Sequence, residues 1–230
     1  SNTPLQINVD LIRIHKNPSK NTPISHLESF YRLFDDVKDK QYDGLIITGA
    51  PLGLVNYEDV SYWDKICEAF DWAQTNVVST MYLCWAAHAA LYHHYGLDRE
   101  VRADKLSGVC FHDVLDPLER LTRGFDDEFK VPHSRYAQVK EEDYRSVEQL
   151  NVLAKSDVAG VYLVASEDKR QVFVTGHPEY DAHTLAQEYQ RDLNAGLEPK
   201  LPLNYFKHDD PNNEPRSSWR SHGSLLFNNW

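Results

Sequence analysis

One residue separates a strand from a helix near the middle of this chain, and that junction constrains the fold more than any other feature. The run Val77–Leu83 (VVSTMYL) is apolar and partly β-branched, and it predicts a buried strand. Trp85–Tyr95 (WAAHAALYHHY) predicts a helix that ends at Gly96. A buried strand that leads directly into a helix is typical of α/β folds, in which crossover helices join parallel strands.

Further strands and helices are predicted on both sides of this junction. Strands are predicted at residues 7–14, at the short run LIIT (45–48), and as a hairpin of 161–165 with 171–175. Helices are predicted from an N-cap at Ser25 to residue 37, over 63–73, and over 182–195 between Asp181 and Gly196. The sequence therefore predicts an α/β fold with a mostly parallel sheet flanked by helices.

Two parts of the chain show little periodicity. Residues 97–158 combine many charges with short strand candidates such as GVCFHDVL, and we predict irregular structure there. From Leu197 onward the chain is rich in Pro and Asn, which predicts an irregular C-terminal tail. Because no repeat or low-complexity segment divides the sequence, we expect one domain over residues 1–230.

The charge and the apolar runs of the chain exclude several classes of function. Lys and Arg total 24 against 35 Asp and Glu, and the resulting net charge of −11 disfavours binding to nucleic acid or anionic lipid. No apolar run approaches the roughly 18 residues of a membrane span, and no signal peptide is evident. Three scattered cysteines form neither a disulfide framework nor a zinc signature, so we expect a cytoplasmic protein.

Cys84 is the residue between the predicted strand and the predicted helix. A thiol at this place lies at a nucleophile elbow, where the amide groups of the helix N-terminus favour the thiolate form. Most cysteines are instead small buried apolar residues, and Cys67 in mid-helix and Cys110 in mid-strand fit that role. Cys84 is therefore the candidate nucleophile.

The tripeptide His177-Pro178-Glu179 follows the predicted strand 171–175. Ligands of open α/β sheets bind beyond the carboxyl ends of the strands, so His177 is placed to meet Cys84 while Glu179 orients its ring. Cys, His and an acid form the arrangement used for acyl transfer.

The GAPLG turn at 49–53 follows another predicted strand. The Gly53 amide is a candidate oxyanion donor together with that of Trp85, and a plain tight turn is the alternative.

Glu188 and Arg191 are three residues apart and share one face of the predicted helix 182–195. They form either a surface ion pair or a clamp that binds the amino and carboxylate groups of an amino acid.

His93 and His94 lie at a helix C-terminus, where the helix dipole favours positive charge. Without an HExxH, GxGxxG or P-loop motif, the sequence predicts no metal site and no nucleotide cofactor.

Several uninterrupted motifs resemble the homoserine O-succinyltransferase family, and the resemblance extends along essentially the whole chain. They include DGLIITGAPLGLV, CWAAHAAL, LTRGFDD, PHSRYA, VTGHPEYDA and NYFKHDDP. The resemblance implies a fold related to class I glutamine amidotransferases and a ping-pong transfer from acyl-CoA to the homoserine hydroxyl in methionine biosynthesis. It also implies that acyl-CoA is a substrate, that no cofactor is needed, and that the protein forms a homodimer.

The resemblance also implies roles for individual residues. It identifies Cys84 as the nucleophile that becomes the acyl thioester, His177 as the general base and Glu179 as the acid that supports it. Homoserine would be held by Glu188 and Arg191, which favours the clamp over the surface pair.

Three further residues receive implied roles near the acyl donor. Ser134 would line the active site, and Arg135 beside it would bind an anionic group of donor or acceptor. Gly53 would favour a succinyl over an acetyl donor, because a glutamate at that place would crowd and repel the distal carboxylate of a succinyl group.

In the family, a strand, a Lys-bearing turn and a helix precede the segment that matches SNTPLQ, so we expect both ends of this chain to be cut. Three alternatives to succinyl transfer stay open. A serine or homoserine O-acetyltransferase would use acetyl-CoA with similar motifs. A glutamine amidotransferase-like hydrolase would share the elbow, although Tyr82 and Ala86 stand where those enzymes carry glycine. A ligand-sensing protein would keep the fold without the chemistry.

Overall fold

The strands form two sheets in the part of the chain that the computed structural model describes, residues 5–15 and 30–230. A small parallel sheet pairs β1 (Leu11–Arg13) with β2 (Tyr31–Leu33). The strands of the main sheet are β3 (Tyr42–Ile47), β4 (Val77–Leu83), β5 (Glu100–Val114), β6 (Glu128–Gln138), β7 (Leu150–Ser156), β8 (Gly160–Ser166) and β9 (Gln171–Val174). Their order across the sheet is β3-β4-β9-β8-β7-β5-β6.

Helices accompany this sheet throughout the described residues. They are α1 (Trp63–Asn76), α2 (Trp85–Tyr95), the short α3 (Glu141–Arg145), α4 (Thr184–Asn194) and α5 (Arg220–Asn229). Among the residues described, no helix has both the length and the apolar character that a membrane crossing requires. The α/β class predicted from the sequence is confirmed.

The junction between β4 and α2 forms at the predicted residues. Gly96 ends α2 with a φ of 68°, a left-handed conformation that glycine adopts without strain. β4 pairs in parallel with β3 on one side and with β9 on the other. The carboxyl ends of these three strands therefore meet at one edge of the sheet, which is where the sequence places its candidate catalytic residues.

The rest of the main sheet is antiparallel, from β9 through β8, β7 and β5 to β6. The 161–175 hairpin is confirmed as β8 and β9, but the expectation of a mostly parallel sheet holds only for β3, β4 and β9. The prediction of irregular structure over 97–158 is wrong, because this segment forms β5, β6 and β7. A register shift between Val101 and Leu106 interrupts the alternation that would have indicated a long strand.

Predictions near the two termini also need correction. The helix predicted to run to residue 37 ends earlier, because Phe30 is helical while Tyr31–Leu33 pairs with β1 and Phe34–Asp36 forms a 3₁₀ turn. Its N-cap Ser25 lies outside the described residues, and the strand predicted at 7–14 is confined to Leu11–Arg13. Here strand pairing overrides the local helical spacing.

Two corrections concern the last fifth of the chain. The irregular tail carries α5, whose Leu226 is fully buried and follows the equally buried Trp219 by seven residues, a helical spacing. α4 begins after His183 rather than after Asp181, and its N-cap makes no side-chain hydrogen bond.

Alternate residues of β4 pack on opposite faces of the sheet. Tyr82 belongs to a core cluster with Phe70 of α1 and Leu91 of α2, while Met81 and Leu83 join a second cluster. Because β4 is buried on both faces, the residue that follows it is fixed in position.

Candidate active site

Cys84 adopts a backbone conformation that few non-glycine residues adopt. Its φ is 51° and its ψ is −112°, a strained geometry that costs on the order of 1–3 kcal/mol. The Cys84 amide donates to the Val174 carbonyl at 2.7 Å, and the Cys84 carbonyl accepts from the His88 amide at 3.2 Å. The ends of β4 and β9 and the first turn of α2 thus hold the strained residue in place. This is the geometry of a nucleophile elbow.

Gly49, in the chain segment that follows β3, lies against this elbow. A Cβ atom added at Gly49 would lie 3.1 Å from the Cys84 Cβ and 3.5 Å from the Trp85 amide nitrogen. Gly53 lies further along the same turn and faces Tyr136 of β6, with 3.7 Å and 3.8 Å between an added Cβ and the Tyr136 Cβ and N. The sequence does not indicate which of the two glycines, Gly49 or Gly53, lies against the elbow. The role of the Gly53 and Trp85 amides as oxyanion donors stays a prediction.

His177, three residues after β9, meets both Cys84 and Glu179. Its ring is buried, and its Nδ1 lies 2.7 Å from the Glu179 Oε1. Burial alone would lower the pKa of His177. The charge of Cys84, a hydrogen bond between the two side chains and the Glu179 carboxylate instead raise that pKa to about 10. The structure therefore brings together a thiol, an imidazole and a carboxylate in the order expected from the sequence.

A neutral histidine pair backs the His177 loop. The His177 amide donates to the Pro132 carbonyl at 2.8 Å. Next to Pro132, the Nε2 of the fully buried His133 lies 3.1 Å from the Nε2 of His112, whose Nδ1 lies 3.0 Å from the Cys110 carbonyl. A carbonyl only accepts, so His112 donates through Nδ1 and accepts at Nε2 from His133. Burial lowers the pKa of both rings, which keeps the pair uncharged.

Tyr180 connects the candidate base with a carboxylate on α4. Its ring stacks on His177 with 4.1 Å between centroids and a 20° interplanar angle. Its hydroxyl donates to the Glu188 Oε1 at 2.8 Å. The other Glu188 oxygen accepts a hydrogen bond from the Ser134 hydroxyl and lies 3.7 Å from the Lys105 Nζ. The Tyr180 ring therefore lies between His177 and Glu188, and Ser134 contacts Glu188.

Lys105 is a member of this group that the sequence did not indicate. Its Nζ lies 2.9 Å from the Asp192 Oδ2, and both side chains are largely buried. Arg191 donates to the Asp192 Oδ1 at 2.9 Å and 2.7 Å and is 61% exposed. Arg191 thus pairs with Asp192 rather than with Glu188. Lys105 lies in a segment predicted to be irregular, and no spacing in the sequence relates it to α4.

Arg135 points away from this group. Its two terminal nitrogens donate to the carbonyls of Ala137 and Ala159, and the residue is only 5% exposed. Burial lowers the pKa of Arg135 to about 10, against the opposing effect of the Cys84 charge. The structure therefore gives Arg135 an electrostatic link to Cys84, and its predicted contact with a substrate anion stays a prediction.

The two other cysteines lack the surroundings of a nucleophile. Cys67 lies within α1 and Cys110 within β5, as predicted. Burial is the main cause that raises the pKa of each thiol to about 11. At neutral pH both are therefore uncharged thiols. Cys84, which has His177 beside it, stays the candidate nucleophile.

Comparison with known proteins gives a consistent family match. The family model described as homoserine O-succinyltransferase matches residues 1–230. A homoserine O-succinyltransferase of Pseudoalteromonas atlantica is 60% identical over 230 residues, which cover 100% of this chain and 75% of the relative. Proteins of the same name from Alteromonas mediterranea and Vibrio atlanticus are 60% and 58% identical, again over all of this chain and 74% of each relative.

Solved structures with a similar fold include glutamine amidotransferases. A glutamine amidotransferase from Thermotoga maritima superposes with a TM-score of 0.57 at 11% identity, covering 88% of this chain and 86% of that one. A glutamine amidotransferase from Methylobacillus flagellatus has a TM-score of 0.55 at 9% identity, covering 84% of this chain and 94% of that one. At this identity the likeness concerns the fold, and it confirms the expected relation to the glutamine amidotransferase fold.

Proposed function

The chain belongs to the homoserine O-succinyltransferase family, and from this premise we propose that Cys84 carries the succinyl group between succinyl-CoA and homoserine. The observation that supports a covalent route is the buried contact of Cys84 with His177, whose Nδ1 is held by Glu179. The reaction belongs to methionine biosynthesis. The covalent route and the role of each residue in it are proposals.

The first half-reaction forms a thioester on the enzyme. The Cys84 thiolate attacks the thioester carbonyl of succinyl-CoA, and the amides of Trp85 and the GAPLG turn stabilise the oxyanion that forms. The bond between the carbonyl carbon and the CoA sulfur then breaks. His177, protonated while it pairs with the thiolate, gives its proton to the leaving CoA sulfur. Succinyl-Cys84 and neutral His177 remain.

The second half-reaction transfers the group to homoserine. Neutral His177 takes the proton of the homoserine hydroxyl, and the hydroxyl oxygen attacks the succinyl carbonyl. The bond between that carbon and the Cys84 sulfur breaks. This step releases O-succinylhomoserine and restores the thiolate beside a protonated imidazole.

The Glu188 group supports binding of the acceptor next to this base. Glu188 offers a carboxylate for the homoserine amino group, and it lies one ring away from His177 through Tyr180. The largely exposed Arg191 on the same helix face offers a guanidinium for the homoserine carboxylate. Gly53 faces Tyr136 of β6 without a side chain of its own, and the lack of a carboxylate at this place suits the succinyl donor.

Intact-protein mass spectrometry tests the covalent route. After incubation with succinyl-CoA and no acceptor, we expect one succinyl adduct on the unmodified protein and loss of the adduct when homoserine is added. Cys84→Ala should form no adduct and should lose at least about a thousandfold of turnover. Cys67→Ala on α1 is the matched control and should form the adduct normally.

Two outcomes would contradict the mechanism. One is near-normal turnover by Cys84→Ala, and the other is an adduct that homoserine does not discharge. Acetyl-CoA in place of succinyl-CoA, and serine in place of homoserine, complete the same experiment and decide donor and acceptor.

A further inference from the structure

A group of potential metal ligands lies at the end of α2 opposite to Cys84. Within the described residues, one ligand atom from each of Asp71, His93 and His94 lies within 4.8 Å of the others. Asp71 belongs to α1, and the two histidines belong to the last turn of α2. His93 and His94 follow Cys84 by nine and ten residues along this helix, so the group is separated from Cys84 by roughly 14 Å of helix.

The two histidines are in different hydrogen-bonding states. The His93 Nε2 lies 2.7 Å from the Asp71 Oδ1, and these side chains are 24% and 64% exposed. The His94 Nδ1 lies 2.8 Å from the Gln74 Nε2, while the His94 Nε2 is buried without a hydrogen-bond partner. A buried ring nitrogen without a partner is unfavourable, and a bound cation would satisfy it.

Two features of the surroundings support a cation over a simple ion pair. The C-terminal end of α2 carries the negative pole of the helix dipole. Phe70 packs against both imidazoles with centroid distances of 5.8 Å and 6.0 Å, which restricts their movement.

We propose that Asp71, His93 and His94 form a binding site for a divalent transition-metal cation of the Zn²⁺ class, which links α1 to α2. Two imidazoles and one carboxylate are a donor set that suits Zn²⁺, Co²⁺ or Ni²⁺, and water completes the coordination. Coordination through the His94 Nε2 moves its proton to Nδ1. A rotation of the Gln74 amide then presents its oxygen to that proton, the usual support for a metal-bound histidine.

The sequence alone gives no signal for this site, because it lacks the spacing of common zinc motifs. His93 and His94 are adjacent in the chain, and Asp71 is brought to them by the packing of α1 on α2. The site is not part of the proposed acyl transfer, so its test does not depend on the mechanism above.

Isothermal titration of metal-free, tag-free protein with Zn²⁺ tests the site, and Co²⁺ absorption reports the coordination geometry. A Cys84→Ser background removes the active-site thiol, which also binds soft metals. In that background we expect one Zn²⁺ per chain. Asp71→Asn, His93→Ala and His94→Gln should each weaken binding by at least about tenfold. His208→Ala, an exposed histidine elsewhere, should bind Zn²⁺ with unchanged affinity.

Thermal unfolding provides a second readout that does not depend on activity. Saturating Zn²⁺ should raise the melting temperature of the unmodified protein and have no such effect on Asp71→Asn, whose exposed side chain is not needed for folding. The proposal is wrong if Zn²⁺ binds with less than one equivalent. It is equally wrong if all three substitutions leave the affinity unchanged while circular dichroism shows folded protein.

Discussion

Gly223 of α5 lies directly against the backbone of Pro178, the residue between His177 and Glu179. A Cβ added at Gly223 would lie 2.6 Å from the Pro178 carbonyl oxygen. The preceding Trp219 donates from its indole Nε1 to the Tyr180 carbonyl at 3.0 Å. The C-terminal helix therefore supports the loop that carries the candidate base.

Gly223→Ala should displace this loop. Because the added methyl group meets backbone rather than a flexible side chain, we expect a loss of about 1–3 kcal/mol in the free energy of unfolding. We also expect slower formation of the acyl-enzyme, measured by quenched mass spectrometry. Asn228→Ala adds no contact at an exposed position of the same helix and should match the unmodified protein in both measurements. Unchanged stability and acylation in Gly223→Ala would show that α5 does not position His177.

Glu188→Gln should separate the two half-reactions. The neutral amide loses a charged hydrogen bond to the amino group of the acceptor, worth about 1.5–3 kcal/mol, so kcat/KM for homoserine should fall by about 10- to 100-fold. Acyl-enzyme formation from succinyl-CoA should proceed at its normal rate. Gln187→Ala, an exposed change on the same helix, is the control. An equal loss in both half-reactions would mean that Glu188 does not bind the acceptor.

Glu179→Gln should lower the pKa of His177. Burial lowers this pKa, but Cys84 and Glu179 together raise it by more than burial lowers it. Removal of the Glu179 charge should therefore lower the pKa of the imidazole by about one unit or more. NMR of the His177 ring, with Glu198→Gln as an exposed control, measures the shift.

The same pKa has a consequence for stability. A group whose pKa is higher in the folded state stabilises the protein fully below its unfolded pKa, about 6.5, and loses that contribution as the pH rises through about 10. The stability difference between the unmodified protein and Glu179→Gln, from urea unfolding, should therefore be largest near pH 6 and shrink toward pH 10. A difference that grew with pH would contradict the assignment of charge to His177.

Gly49→Ala and Gly53→Ala should have different effects on acylation. The methyl group at Gly49 would meet the Cys84 Cβ at 3.1 Å, closer than ordinary contact, and we expect acyl-enzyme formation to slow by about tenfold. At Gly53 the nearest atoms are 3.7 Å and 3.8 Å away, so alanine should be tolerated. Gly53→Glu should instead reduce the use of succinyl-CoA relative to acetyl-CoA. If Gly53→Ala were the more harmful alanine, Gly53 rather than Gly49 would line the elbow.

Local patterns in the sequence were enough to predict the elbow at the centre of the candidate site. The junction of β4, Cys84 and α2 was predicted to the residue, because an apolar strand, a helical run and a closing Gly96 are each encoded by neighbouring residues. His177 and Glu179 were predicted to lie together for the same reason, since a three-residue motif at a strand end carries both. The family motifs then supplied the reaction.

Contacts between residues far apart in the chain are apparent only in the three-dimensional fold. The contacts of Lys105 with Asp192, of Gly49 with Cys84 and of Gly223 with Pro178 join segments far apart in the chain. Such contacts leave no local periodicity, because packing and hydrogen bonds across the fold create them. The same cause explains the wrong predictions. Pairing between β1 and β2 begins at Tyr31, where a helix was predicted to continue, and long antiparallel strands form where alternation is interrupted.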